Sequence, residues 1–313
     1  MPSQIKILNK KADYNPNHPV NVTYMGRLRR ITTIKYPHAP NTVNMDKDHY
    51  MLVDTGEVKK KKHANDRSEN IAGIKRSLGT VRDLIDCNCT DAKKCRWITL
   101  TYRPMPDGSP MTDTAKLQHD WDVFLKRFKR YSKANGVTPP EYISVAEPQG
   151  SGAWHMHVIF IYQDTAPYLP SKDVEEMWGQ GFVKVKAVRN SDNIGSYFVA
   201  YLTDISFDDY YDDDTTVLDH IELTDRIVMD ENGNRVKKKF IKGGRLHYYP
   251  VGFNCFRHSR GLKYPKTVKM TNDDASISIR SECELVYRSD IEIVTSDGQK
   301  HCNTITKEIY RKD

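Results

Sequence analysis

At 313 residues with 38% hydrophobic side chains, the chain is long enough for one large domain or two modest ones, each with a core. No window has the length and apolarity of a membrane span, and "MPSQIKILNKKADYNPNHP" lacks the apolar stretch of a signal peptide, so a cytoplasmic protein with no membrane partner is expected. Forty-eight Lys and Arg against 41 Asp and Glu leave a formal charge of +7, which is compatible with a polyanionic partner without requiring one.

Residues 1–65 carry short apolar stretches such as "YMLVDTG" and the run "KKKKH", and read as an N-terminal accessory region. From Asp66, a helix cap, Ile71, Ile74, Leu78, Val81 and Ile85 recur at helical spacing up to Asn88. Cys87, Cys89 and Cys95 follow as C-x-C-x5-C. That spacing lacks the usual zinc knuckle and a fourth ligand, and it reads as a turn before a strand. "RWITLTY" (96–102) is that strand. Leu117, Trp121, Phe124, Leu125 and Phe128 mark a helix that ends at Gly136, and "EYISVAE" (141–147) and "WHMHVIFIY" (154–162) are the next two strands. A short helix opened by Ser171 and stopped by Gly179 and Gly181 leads to the strand "FVKVKAV" (182–188) and then to the helix "NSDNIGSYFVAYLTD".

The order β-α-β-β-α-β plus a helix predicts an α+β, ferredoxin- or RRM-like antiparallel sheet over residues 66–205, with helices on one face and an open face for ligands. The acidic run "FDDYYDDD" reads as a linker. Residues 206–313 read as a C-terminal accessory region with "SISIR" and "SDIEIVTSDG" as strands.

Strand alternation sends Trp154, Met156, Val158 and Phe160 to one face and His155, His157, Ile159 and Ile161 to the other, so the two imidazoles share a face. The connection "PQGSGA" is short enough for a tight hairpin that returns Glu147 beside them. Two imidazoles and a carboxylate can hold Mg²⁺ or Mn²⁺ and leave positions open for water or phosphate oxygens. Tyr197 and Tyr201, four apart in "YFVAY", stand one turn from each other on one side of their helix. Beside a metal they are candidate nucleophiles, because a cation favours the phenolate of a group whose ordinary pKa is about 10.

"WITLTY", "HMH" and "YFVAY", in this order with helices between them, resemble the HUH endonucleases, and specifically the rolling-circle replication initiators of Gram-positive plasmids and phages. "RLHYYPVGFNCFRHSRGLKYP" is similar to a downstream stretch of the same initiators. The resemblance implies that His155, His157 and Glu147 hold the metal against the scissile phosphate. Tyr197 or Tyr201 would attack, giving a 5′-phosphotyrosyl enzyme and a free 3′-OH, and a second transfer would rejoin the displaced strand. The partner implied is single-stranded origin DNA, as a hairpin or nick site. Two-tyrosine initiators often read Tyr-x3-Tyr-x2-Lys; here the last position is Asp204.

"LKRFKRYSK" and "KKKFIKGGRLHYY" intersperse cations with aromatics, which suits phosphate contacts and base stacking. Lys126, Arg127, Lys129, Arg130, Lys237, Lys238, Lys239 and Arg245 are the candidate nucleic-acid contacts. No G-x4-G-K-[ST] phosphate loop occurs, so a separate host helicase, and a polymerase, are expected partners. Two other readings stay open: a hydrolase that uses the same ligands to activate water, and a non-catalytic DNA-binding regulator.

Overall fold

The computed structural model describes residues 4–8, 15–37, 41–61, 71–149, 151–188, 194–195, 205–206, 223–229, 235–241, 249–250, 252–294 and 302–312. Residues 1–63 and 264–313 form one unit and residues 64–263 a second. The N-terminal part of the first unit supplies β1 (Gln4–Leu8), β2 (Pro19–Met25), β3 (Leu28–Ile34), β4 (Thr42–Asn44), β5 (His49–Leu52) and β6 (Val58–Lys60). The last three form a small sheet of their own.

The second unit opens with α1 (Ile71–Asn88), which is followed by a single 3₁₀ turn, Ala92–Lys94, and β7 (Cys95–Thr101). Asp91 starts the turn by accepting a hydrogen bond from the Lys93 amide, 2.9 Å. α2 (Thr114–Ala134) follows, capped by the Asp113 carboxylate on the Ala115 and Lys116 amides. Next come β8 (Glu141–Pro148), β9 (Trp154–Ile161), α3 (Ser171–Trp178) and β10 (Val183–Ala187). Gly179 ends α3 in the left-handed region, φ 71°, where a side chain would be strained. β11 (Ile205–Ser206), β12 (Leu223–Met229) and β13 (Arg235–Ile241) form a small antiparallel sheet, and β14 (Phe256–His258) completes the unit.

The main sheet of this unit runs β10-β7-β9-β8-β14 with every pairing antiparallel. The α+β class with antiparallel sheets is therefore as the sequence led us to expect. One face of β9, bearing Trp154, Met156, Val158 and Phe160, packs on Trp121, Phe124 and Phe128 of α2 and Val174 and Trp178 of α3. Phe128 and Phe160 stack with ring centroids 4.2 Å apart. The Tyr102 hydroxyl and Lys116 Nζ both donate to the buried Asp120 carboxylate, at 2.9 and 2.7 Å, and tie α2 to the end of β7.

The other face differs from the open surface expected. Ile143, Val145 and Ile159 lie on it, and Leu78, Val81, Leu84 and Ile85 of α1 cover them. The physical reason is on β8 and β9 themselves, which carry apolar residues on both faces at this end and need burial on both.

From the other end of the chain, the first unit receives β15 (Lys266–Thr271), the one-turn helix α4 (Asn272–Ala275), a π-helical turn (Ser276–Arg280), β16 (Glu284–Val294) and β17 (Cys302–Arg311). Together they give a six-stranded antiparallel sheet in the order β1-β16-β17-β3-β2-β15. The two ends, read from the sequence as separate accessory regions, thus share one sheet. "SISIR" is the π-helical turn and not the strand expected of its alternation. Thr271 and Asp274 form a capping box that starts a helix, and the Ser276 and Ser278 hydroxyls bond back to the carbonyls four residues earlier.

Gly181 sits between α3 and β10, where its Cα abuts the end of β7. A methyl group there would run into the Thr101 carbonyl oxygen and the Arg103 amide nitrogen. Gly181→Ala is expected to destabilise the protein by about 1–3 kcal/mol, read as a lower urea midpoint at unchanged m-value; a midpoint equal to wild type would contradict this packing.

Candidate active site

The position of the histidines follows from the residue before them. Trp154 is buried on the α2 face, where its indole N–H donates to the Thr112 carbonyl, 2.9 Å, and its ring lies 5.0 Å from that of Phe253. Alternation then commits His155 and His157 to the opposite face. The hairpin before β9 closes through Gln149 N to Ala153 O, 2.8 Å, with Gly152 at φ 82°. It sets the register in which Glu147 pairs with His155 and Val145 with His157.

The structure therefore brings together three residues expected of the site. Glu147 is 4% exposed and His157 19%, and Glu147 Oε2 lies 2.6 Å from His157 Nε2. On the far side, Thr99 and Thr101 of β7 pair with His157 and His155, and the Thr99 hydroxyl is 3.3 Å from His157 Nδ1. The imidazole rings are 6.4 Å apart, and the Trp97 ring stands edge-on to His157 at 6.1 Å. His155 Nε2 is buried without a hydrogen-bond partner among the described residues.

Burial lowers the pKa of both histidines to about 4, helped for His155 by its neighbour His157 and for His157 by the Lys186 ammonium. Both rings are therefore neutral at pH 7, the state in which an imidazole nitrogen offers a lone pair to a metal. Two neutral imidazoles, one with an unpaired buried nitrogen, and a carboxylate make a donor set whose chemistry fits Mg²⁺ or Mn²⁺. In this arrangement Glu147 and His157 close on each other, and no three His, Cys, Asp or Glu side chains converge on one point among the described residues.

Tyr197, Tyr201 and Asp204 lie outside the described residues, as do Asp66 and Arg245. The stretch leading to the tyrosines is described at Ile194 and Gly195, which are helical. Ile194 is buried in the cluster formed with α1. A side chain on Gly195 would meet Asp86 Oδ1 at 2.6 Å and the Arg82 carbonyl at 2.9 Å, so only glycine allows the backbone this close to α1. The same helix that covers the histidine face thus anchors the chain two residues before Tyr197.

The basic candidates fall elsewhere. Lys126, Lys129 and Arg130 are exposed on the outward side of α2, and Arg127 donates to the Met177 carbonyl, 3.0 Å. α2 packs on the sheet face opposite the histidines, so these cations are not brought to the His155–His157 site. Lys237, Lys238 and Lys239 are in β13, where Lys237 is exposed. Lys184 and Lys186, which the register places on the histidine face, were not singled out from the sequence. The alternation of "FVKVKAV" puts both on one side of a strand, but only the pairing of β10 with β7 shows which side.

Residues 95–206 match the family model for the replication-associated protein ORF2/G2P. The match begins at the first residue of β7, includes Glu147, His155 and His157, and associates this part of the chain with replication initiation. No curated protein and no solved structure matches the chain. Among the described residues no helix is long and apolar enough to cross a membrane.

The low histidine pKa values have a consequence for stability. Between pH 6.5 and about 4 the unfolded chain binds protons that the folded rings refuse. The folded state is therefore fully favoured above pH 6.5 and loses stability as the pH falls toward 4, by at most about 1.4 kcal/mol per pH unit per ring. Urea titrations at pH 7, 6 and 5 should show this loss, and a His155→Gln/His157→Gln variant should show a shallower one. Equal slopes in the two proteins would mean that the rings are not held neutral.

Proposed function

We propose that residues 95–206 form a metal-assisted centre that nicks single-stranded DNA at a replication origin and transfers the cut strand through a tyrosine. The observation that carries this reading is the placement of Glu147, His155 and His157 in register on one sheet face, inside the stretch that matches a replication-protein family. The strand order is also what a split βαβ core of the HUH kind would give. β7, β8, β9 and β10, as first to fourth, lie as 4-1-3-2.

In this reading Glu147, His155 and His157 hold one Mg²⁺ or Mn²⁺ ion. When bound, it polarises a phosphate oxygen and favours the phenolate of a nearby tyrosine. At 2.6 Å Glu147 and His157 are within hydrogen-bond distance of each other, and this contact would open for both to face one ion. Thr99, at His157 Nδ1, orients that ring with its other nitrogen toward Glu147.

Tyr197 or Tyr201 attacks the phosphorus through its phenolate oxygen. The P–O3′ bond breaks, the 3′-oxygen takes up a proton, and the phosphate remains as a 5′-phosphotyrosyl ester. The second tyrosine can attack the next junction in the same way; the 3′-hydroxyl it frees then attacks the first phosphotyrosyl ester, forming the P–O3′ bond of the rejoined strand and releasing the first tyrosine. A separate helicase would unwind the duplex and a polymerase would extend the 3′-OH. The second reading is a non-catalytic regulator on the same fold, which would bind the DNA and form no adduct.

The deciding assay incubates the full chain with labelled single-stranded origin DNA, with Mn²⁺ or with chelator, and looks for a covalent adduct on denaturing gels. We expect a Mn²⁺-dependent adduct that His155→Ala and His157→Ala abolish and that the Tyr197→Phe/Tyr201→Phe double variant cannot form. Each single Tyr→Phe variant should retain some adduct and fail at a full round of cleavage and rejoining. Glu147→Ala should raise the Mn²⁺ requirement. Gly195→Ala, by shifting the chain just before Tyr197, should lower adduct yield roughly 100-fold. An adduct that survives the double tyrosine substitution would end the tyrosine mechanism, and no adduct under any condition would leave the regulator.

A further inference from the structure

Among the described residues β10 is an edge strand of the main sheet, paired with β7. Its register puts Val183 and Val185 opposite Leu100 and Ile98, on the α2 side, and Lys184 and Lys186 opposite Thr99 and Trp97. The Thr101 amide donates to the Phe182 carbonyl, 2.9 Å, so the pairing continues one residue further and Phe182 stands level with Thr101 and His155. Phe182, Lys184 and Lys186 therefore follow one another along the edge of the histidine face, each two residues or about 6.6 Å from the next.

All three are exposed, Phe182 at 62%. Phe182 so placed has an aromatic face free to stack on a base. Neither lysine forms an ion pair among the described residues. Burial and the neighbouring Lys184 ammonium lower the pKa of Lys186, so two like charges are held close together. Lys186 is also near enough to lower the pKa of His157. Across β10 and β7 this face presents Phe182, Lys184, Lys186, Trp97, Thr99 and Thr101, with no carboxylate among them. The face is cationic and aromatic at its rim and reaches the neutral histidines two strands inward.

We infer that the exposed edge of β10 is the rail along which a single DNA strand approaches His155 and His157, with Lys184 and Lys186 neutralising backbone phosphates and Phe182 stacking a base. This inference rests on the proposed nicking function for the identity of the partner and adds the residues that guide it. A duplex fits less well, because its bases are already stacked and offer Phe182 no free face, whereas base stacking on single aromatic side chains is a mode open to unpaired strands. The basic helix α2, on the opposite face, cannot guide a strand to this site without passing round the sheet.

The test is equilibrium binding of the full chain to a fluorescent oligothymidylate, followed by anisotropy in chelator, so that no cleavage is needed, over a series of salt concentrations. Wild type is expected to bind with an affinity that falls steeply with salt. Lys184→Ala/Lys186→Ala should reduce the slope of log K against log salt by about 1.4, the loss of two single-strand phosphate contacts. Phe182→Ala should weaken binding roughly tenfold with the slope unchanged, and Phe182→Tyr should restore it. Matching reduction at Lys126→Ala/Lys129→Ala with none at Lys184 and Lys186 would overturn the inference. So would preferential loss of binding to a hairpin duplex. If the β10 variants bind as wild type does while the adduct assay succeeds, this rail is wrong and the nicking function stands. If wild type fails to bind the single strand at all, both fall.

Discussion

A strand in the middle of a sheet has two faces, and β9 must satisfy both with eight residues. Toward α2 and α3 it offers Trp154, Met156, Val158 and Phe160, and these lock it into the larger core. Toward α1 it offers Ile159 and Ile161 at one end and the two histidines at the other. Because side chains alternate without exception along a regular strand, anchoring the first set fixes the direction of the second. The Trp154 indole, bonded to the Thr112 carbonyl and wedged against Phe253, is thus as much a determinant of where His155 points as any contact His155 makes itself.

What α1 covers and what it leaves bare follows from the same strands. Its Leu78, Val81, Leu84 and Ile85 need apolar partners, and those lie around Ile143, Val145 and Ile159. Past them the face turns polar, with Glu147, Thr99, Thr101 and the imidazoles, groups that the apolar side chains of α1 could not satisfy. The site sits where the apolar cover runs out. It is dry enough for Glu147 to be 4% exposed and for the rings to stay neutral, and it borders an exposed strand edge.

Features set by short-range rules were legible in the sequence. The shared face of His155 and His157 needs only the period of a strand, and the return of Glu147 needs only a hairpin too short to do anything else. Whatever depended on distant pairing was not. Nothing local says that β2, near the N-terminus, pairs with β15, or that β14 adds to the edge of β8. "SISIR" misled because its alternation is that of a strand, while the helix signal lies just before it in Thr271 and Asp274. The basic run on α2 reads as a nucleic-acid contact in one dimension; the amphipathic helix then turns those cations outward on the far face. Lys184 and Lys186, two charges in a five-residue strand, carry no sequence signal above ordinary surface, and their interest comes entirely from the strand they pair with.

The neutral state of the histidines links packing to chemistry. Desolvation is the largest influence on both rings, and it comes from the walls of the site: the Trp97 indole on one side of His157 and the α1 cluster beyond it. A more open face would let the rings protonate near pH 6.5, and a protonated imidazole can neither ligate a cation nor sit beside one. α1 covers the apolar end of this face, and the β10 edge carries the exposed Lys184 and Lys186. The Lys186 ammonium disfavours the His157 imidazolium by like-charge repulsion while its own side chain stays exposed to water.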